Sequence, residues 1–151
     1  MTEDGRAAFD AAVRILAPRG HGRVELKRKL ARKGYGPAAV EEAFVRLEEL
    51  SYLEPEAELA ERFARELSRK KGATPRNARQ KLAERGFAAD VAGPAISAAF
   101  EAWDAREAAL PLLRGERNPE KVARKLNRRG FPADAVQWAM GRTRSEVPPE
   151  E

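Results

Sequence analysis

The chain has 151 residues, of which 35% are charged and 42% hydrophobic, and its net charge is +5. It contains no cysteine, which excludes disulfides and thiolate metal sites, and its single histidine, His21, argues against a histidine metal cluster. Its first residues are acidic and polar, unlike a secretory leader, and no apolar stretch approaches membrane-spanning length. We therefore expect a cytoplasmic protein without a membrane partner, whose positive charge favours a polyanionic or acidic partner.

Apolar residues recur at the helical period along the chain and nowhere alternate over the length of a strand. Val40, Ala43 and Leu47, for example, lie three and four residues apart and share one helix face. This pattern predicts an all-helical protein with nine helices. In chain order the predicted helices span 6–18, 23–33, 37–51, 55–71, 75–85, 89–101, 104–114, 119–129 and 133–143.

One phrase occurs three times, at 29–35, 81–87 and 125–131. Each copy starts with Lys-Leu, has a lysine or arginine just before a glycine, and ends with an aromatic residue after that glycine. Glycine accepts the left-handed conformation that often follows the last turn of a helix, so Gly34, Gly86 and Gly130 are predicted helix ends. The aromatic residue after each glycine is expected to fold back into the core.

The repeated phrase predicts three tandem three-helix repeats that form an elongated, curved, solenoid-like array. Because stacked repeats build their core within one chain, we expect a monomer. The predicted limits are 1–5 for a disordered N-terminus, 6–53, 54–102 and 103–144 for the repeats, and 145–151 for a disordered tail.

Several local signals mark where helices begin or are strained. Thr74 and Asn118 each precede a proline and are predicted N-caps, and Asp104 with Glu107 predicts a capping box. Pro94 falls inside the sixth predicted helix, where proline costs about 3 kcal/mol. That helix is expected either to start late or to be kinked. Pro111 raises the same problem in the seventh.

The middle helix of each repeat, hereafter a second helix, is strongly basic. Charged helices commonly only solvate a surface, but recurrence at equivalent positions predicts a stripe that could hold phosphate or an acidic protein groove. We expect the basic positions of the repeated phrase to be dispensable for folding. The candidate binding residues, hereafter the basic set, are Arg28, Lys29, Arg32, Lys33, Arg76, Lys81, Arg85, Arg124, Lys125, Arg128 and Arg129.

No catalytic constellation is apparent in the sequence. Neither a glycine-rich phosphate loop nor a zinc-ligand spacing occurs, and we expect no catalytic residue, cofactor or metal. His21 lies in the loop before the first of the second helices, where we expect it to make a local backbone contact.

Two parts of the first repeat, residues 12–21 followed by 25–30 and residues 50–54, match a known pattern. The former look like the N-terminal signature of the RecX regulatory proteins, and the latter is similar to the Gly-Tyr-Leu-Asp-Asp segment of that family. The resemblance covers nearly the whole chain. Ser51 stands where the family commonly has glycine, and Glu54 with Pro55 replaces its paired aspartates. Further segments that continue the pattern are 63–64, 70–72, 81–87, 122–126 and 129–131.

The resemblance implies three tandem three-helix repeats and a non-enzymatic regulator of the RecA recombinase. Such proteins dock in the groove of the RecA–DNA filament and hinder its growth, ATPase and strand exchange, which modulates homologous recombination, DNA repair and the SOS response. Whether DNA is contacted within the filament stays open. The alternative is a basic helical nucleic-acid-binding module that acts independently of RecA.

Overall fold

The computed structural model of the protein describes residues 1–145. This part of the chain contains nine α-helices and no strand, so the all-helical prediction is confirmed. The last six residues, predicted as part of a disordered tail, lie outside the described residues, and Ser145 belongs to the final helix. The helices are α1 (Glu3–Leu16), α2 (Arg23–Arg32), α3 (Pro37–Glu49), α4 (Glu56–Ser68), α5 (Pro75–Glu84), α6 (Ala89–Ala99), α7 (Ala105–Leu113), α8 (Pro119–Arg128) and α9 (Ala133–Ser145).

The first helix begins earlier than predicted. Residues 3–5, expected to be disordered, belong to α1, and Thr2 is its N-cap. The Thr2 hydroxyl accepts a hydrogen bond from the backbone N–H of Gly5 at 3.0 Å and donates to Glu42 Oε2 at 2.6 Å. The expectation was wrong because the bond that anchors Thr2 comes from α3, which is 40 residues away along the chain.

The described chain forms two compact units. The first consists of Met1–Phe63 and Leu82–Ala95, and the second of Ala64–Lys81 and the described residues from Ile96 onward. Neither unit follows the repeat limits given above, which stay a prediction.

Each unit has its own core. In the first unit, α1, α2 and α3 pack around the fully buried Leu26, Leu30 and Leu47. In the second, α7, α8 and α9 pack around Val122 and Leu126, which are equally inaccessible. In both cores a second helix therefore packs with its apolar face toward the interior. Its charged residues lie on the other faces.

The second helices α2, α5 and α8 all end in the predicted glycine cap. Gly34, Gly86 and Gly130 have φ angles of +98°, +85° and +86°. The aromatic residue that follows donates its backbone N–H to the carbonyl five residues earlier, which is the Schellman arrangement. These bonds join Tyr35 to Leu30 at 3.3 Å, Phe87 to Leu82 at 3.0 Å and Phe131 to Leu126 at 3.0 Å.

The predicted N-caps are confirmed as well. The Thr74 hydroxyl accepts from the backbone N–H of Asn77 at 3.1 Å, and Asn118 Oδ1 accepts from that of Glu120 at 2.9 Å. Asp104 Oδ1 accepts from the N–H of Glu107 at 3.0 Å, so α7 begins with half of the predicted capping box.

Two helices continue through a proline. α6 starts at Ala89 and contains Pro94, so the expected late start is wrong, and the kink stays a prediction. Pro94 lies six residues into the helix and is exposed, as is Asp90, whose carbonyl loses its usual partner and can reach water. α7 contains Pro111 near its end, where fewer helical bonds depend on it.

The three cap glycines differ in what surrounds them. A Cβ on Gly86 would lie 2.7 Å from the backbone nitrogen of Glu25 in α2, and one on Gly130 would lie 3.1 Å from Cβ of Arg76 in α5. A Cβ on Gly34 would meet nothing within 4 Å. Glycine is thus required at positions 86 and 130 both by the positive φ angle and by the close approach of a neighbouring helix. At position 34 it is required by the positive φ angle alone.

We expect Gly86→Ala to destabilise the protein more than Gly34→Ala. Both substitutions place alanine in the left-handed region, at roughly 1–2 kcal/mol each. Only the first also forces a Cβ against backbone, and overpacking of this kind adds typically about 1–3 kcal/mol. Urea unfolding followed by circular dichroism measures both losses. Equal losses would show that the approach of α5 to α2 contributes nothing.

Candidate binding surface on the second helices

The basic set divides into two groups in the structure. Five members, Arg28, Lys29, Arg85, Lys125 and Arg129, contact other parts of the protein through their charged ends. The remaining six, hereafter the exposed cations, are largely solvent-accessible and make no hydrogen bond or ion pair with any described residue. The exposed cations are Arg32, Lys33, Arg76, Lys81, Arg124 and Arg128.

In the first unit, the end of α5 lies against the beginning of α2. Arg28 donates from Nη2 to the carbonyl oxygen of Glu84, the last residue of α5, at 3.0 Å. A guanidinium beside the last carbonyls of a helix is favoured by the negative end of the helix dipole. Gly22, just before α2, has no side chain to obstruct the carbonyl of Arg85, which lies 3.3 Å from the position of its missing Cβ. Arg28 therefore joins two second helices.

Arg85 contributes to the same joint through an aromatic ring. Its guanidinium carbon lies 4.3 Å from the ring centroid of the buried Phe63, a cation–π distance. The Phe63 ring in turn meets Phe87, the aromatic of the glycine cap, edge to face at 5.9 Å. Arg85 is half-buried in this arrangement, so its charge is not wholly available to a partner.

In the second unit, the end of α8 lies against the beginning of α5 in a comparable way. The fully buried Thr74 donates its hydroxyl hydrogen to the carbonyl oxygen of Arg129 at 2.5 Å. Arg129 Nη1 approaches the carbonyl oxygen of Lys71 at 3.4 Å. Gly72, with φ of +77°, leaves room for that guanidinium, which a Cβ at this position would overlap. Arg129 is thus fixed from both its backbone and its side chain.

The expectation that the basic positions of the repeated phrase are dispensable for folding stays a prediction. Two of them, Arg85 and Arg129, contact the places where two second helices meet, through the Phe63 ring and the Lys71 carbonyl oxygen, and the neighbouring Arg28 bonds to the Glu84 carbonyl oxygen. Lys125 also donates to the Leu112 carbonyl at 3.3 Å. The alignment of equivalent positions revealed the recurrence of charge, but only the packing of neighbouring helices determines which charges are engaged.

His21 and Lys29 form a partly buried polar cluster beside α2. Nδ1 of His21 lies 3.1 Å from the Arg19 carbonyl oxygen, which confirms the expected backbone contact, and Nε2 lies 2.7 Å from Lys29 Nζ. A carbonyl only accepts and an ammonium only donates, so the ring carries its hydrogen on Nδ1 and is neutral. Burial lowers the pKa of His21, against a smaller opposing effect of the Arg19 carbonyl.

Glu25 completes this cluster. Burial tends to raise the pKa of its carboxyl, but the two hydrogen bonds from Arg19, both 2.9 Å, and the nearby positive charges bring that pKa below its ordinary value. Glu25 is therefore ionised at neutral pH and holds Arg19 in place. In this cluster the Lys29 ammonium, which belongs to the basic set, donates a hydrogen bond to the neutral His21 ring.

Sequence reasoning missed two cations in the loop after α4. Lys70 and Lys71 line a concavity together with Lys81 and Arg129 of the basic set. The signal was present as the adjacent lysines before Gly72, but nothing local places a loop beside α5 and the end of α8. Among the described residues, no group of three histidine, cysteine or acidic side chains is placed to hold a metal ion.

The described part of the chain also lacks any helix long and apolar enough to cross a membrane.

This all-helical fold is similar to that of a crystal structure of RecX from Lactobacillus salivarius. The TM-score is 0.70 at 18% identity, over 95% of this chain and 98% of that one. A second crystal structure of regulatory protein RecX gives a TM-score of 0.72 over 92% of this chain. At such low identity these likenesses concern the fold alone.

Sequence comparison extends the likeness to the family. The family model for RecX, first three-helix domain, matches residues 8–47, which include α2 and most of α1 and α3. The regulatory protein RecX of Halorhodospira halophila is 36% identical over 92% of this chain and 91% of its own length. That of Thermus thermophilus is 34% identical over 94% of this chain and 97% of its own length. The chain belongs to the RecX family of regulatory proteins.

We expect the stability of the protein to fall as the pH is lowered through about 6.5, the ordinary pKa of histidine. In the unfolded chain His21 takes up a proton near that pH, whereas in the folded protein its lowered pKa keeps it neutral. Because the unfolded state then binds more protons, lower pH favours unfolding until His21 also titrates in the fold. Urea unfolding at a series of pH values above about 5 measures this, since the carboxyl groups titrate lower.

The matched variant for this measurement is His21→Asn. Its side-chain amide can still donate to the Arg19 carbonyl but does not titrate in this range. The variant should lose the pH dependence between about 5 and about 7. A slope that persists in the variant would assign the effect to another group.

Proposed function

We propose that this protein is a non-enzymatic inhibitor of the RecA recombinase that binds in the groove of the RecA–DNA filament. There it limits filament extension, ATPase and strand exchange, and so modulates homologous recombination, DNA repair and the SOS response in the cytoplasm. Membership of the RecX family supports the regulatory role. The protein acts as a monomer in this proposal.

The observation that carries the proposal is an exposed arginine at the same position of two second helices. Arg32 and Arg128 each lie two residues before the cap glycine, are exposed, and have no hydrogen bond or ion pair with the described residues. Neither contributes to a helix joint, unlike Arg28, Arg85 and Arg129. Their charges are available to acidic RecA side chains or to DNA phosphates.

One observation favours the alternative, a nucleic-acid-binding module that acts without RecA. The concavity lined by Lys70, Lys71, Lys81 and Arg129 collects positive charge with no acidic residue in its lining. Binding of bare DNA would depend steeply on salt, because each neutralised phosphate releases condensed counterions.

Two assays separate these functions. The first measures the DNA-dependent ATPase and strand exchange of RecA with this protein added at ratios well below one per RecA. The proposal expects inhibition at such ratios, and its absence would remove the leading function. The second measures binding to bare DNA at physiological salt, where tight binding without any effect on RecA would establish the alternative.

We expect the double variant Arg32→Glu with Arg128→Glu to inhibit RecA at least about tenfold less effectively, which corresponds to about 1.4 kcal/mol of binding free energy. The new carboxylates then face an acidic partner, so the original attraction is lost and repulsion is added. Inhibition of the RecA ATPase as a function of added protein measures the change.

The control is the double variant Arg6→Glu with Arg14→Glu. These α1 residues are also exposed and form no ion pair with the described residues, so the change in net charge is identical. Circular dichroism should show equal helicity for both variants. Equal weakening by the two variants would mean that only net charge matters, and that Arg32 and Arg128 are ordinary solvated residues.

A further inference from the structure

A small concavity in the second unit is lined by residues from separate segments. It is bordered by the end of α4, the loop after it, α5, and the residue that follows α8, and it encloses about 120 Å³. Its cationic residues, hereafter the four-cation cup, are Lys70, Lys71, Lys81 and Arg129. Only Lys81 belongs to a second helix, because Lys70 and Lys71 lie in the loop after α4 and Arg129 follows the last residue of α8.

The four-cation cup has no internal counter-charge. No aspartate or glutamate is among its lining residues, and none of its cations forms an ion pair with any described residue. Like charges held close together repel one another, and a bound anion relieves that repulsion. The cup is therefore positively charged at neutral pH and complementary to an anion.

The floor of the cup is buried and hydrogen-bonded. Thr74, at 0% exposure, binds the Arg129 carbonyl through its hydroxyl and also caps α5. Gly72 adopts a φ of +77° and leaves the space that the Arg129 guanidinium occupies. Trp103 Nε1 donates to the carbonyl oxygen of Ala73, in the loop between α4 and α5, at 3.1 Å. Arg129 is thus positioned before any ligand arrives, which reduces the entropy lost on binding.

The size of the cup limits what it can hold. Its volume is about 120 Å³, which suits a group as small as one phosphate. Sites that enclose drug-sized ligands measure roughly 300–1,000 Å³, so a whole nucleotide does not fit inside. Lys70, Lys71 and Lys81 are exposed around the cup, which leaves it open to a group carried on a larger molecule.

We propose that the four-cation cup binds a single phosphate group, presented by the backbone of a DNA strand. Three ammonium groups and a guanidinium supply donors and charge to phosphate oxygens, for which both lysine and arginine are common ligands. Four uncompensated cations exceed what one protein carboxylate would neutralise, whereas a strand brings further phosphates beside the first. The inference rests on the nucleic-acid-binding alternative given above and names its ligand, and the cup requires no RecA to bind that ligand.

The direct test follows backbone amide resonances of the full chain by NMR. Inorganic phosphate and, separately, a short single-stranded oligonucleotide are titrated in, and the amides of Gly72, Ala73 and Asn77 are observed. Shifts at these amides with both probes are the expected result. Shifts with inorganic phosphate alone would keep the phosphate site but assign it to a small ligand. No shift with either probe would overturn the proposal.

A variant pair tests whether the cup accounts for DNA binding. Lys71→Gln with Lys81→Gln removes two exposed charges whose side chains make no hydrogen bond with described residues, so we expect circular dichroism to show unchanged helicity. Fluorescence anisotropy of a labelled oligonucleotide gives its affinity as a function of salt. The slope of log affinity against log salt should become shallower by about 0.7, the value for one lost single-strand phosphate contact.

The control removes the same two charges from α1, through Arg6→Gln with Arg14→Gln. We expect this control to leave the salt slope unchanged, and an equal change in both variants would overturn the cup as a site. If the cup variant weakened RecA inhibition while neither phosphate nor oligonucleotide shifted the amides, the cup would be a contact for acidic protein surface and the phosphate proposal would fail. The NMR titrations and the anisotropy measurement contain no RecA. Failure of the phosphate proposal is therefore distinct from failure of the regulatory proposal.

Discussion

The structure depends on the close approach of one helix end to the start of another second helix. At Gly86 and at Gly130 a helix ends in a left-handed glycine, and that glycine faces the first turn of α2 or of α5. The cap satisfies the last carbonyls of the helix, and the missing side chain leaves room for the neighbour. The same glycine therefore both ends its own helix and permits the close approach of the neighbouring helix.

This arrangement explains why the basic residues differ in availability. The residue before the cap glycine is Lys33, Arg85 or Arg129, and only the latter two have a second helix beside their glycine. The Arg85 guanidinium stacks on Phe63 and the Arg129 guanidinium bonds to the Lys71 carbonyl oxygen, whereas Lys33 stays exposed. Basic side chains at a joint are therefore held by neighbouring segments, as are Lys29 and Lys125 elsewhere, whereas the exposed cations are left for a partner. Variants that probe binding belong in the second group.

Local signals were predictable and distant contacts were not. The glycine caps, the N-caps and the number of helices follow from neighbours within about one turn, where spacing and residue type are sufficient. The start of α1 was misjudged because Thr2 is anchored by Glu42. The four-cation cup was missed because Lys71 and Arg129, 58 residues apart, meet only in the folded chain. In each case the decisive partner is remote in sequence.

The sequence by itself determined the helical class, the three glycine-ended second helices and the family likeness, because each is written in short runs of residues. It also placed positive charge at equivalent positions. Only the tertiary structure decided which of those side chains are held in place, since Arg28 and Arg129 find their carbonyl partners on other segments. Which side chains lie opposite one another depends on how helices pack, and no local pattern encodes that.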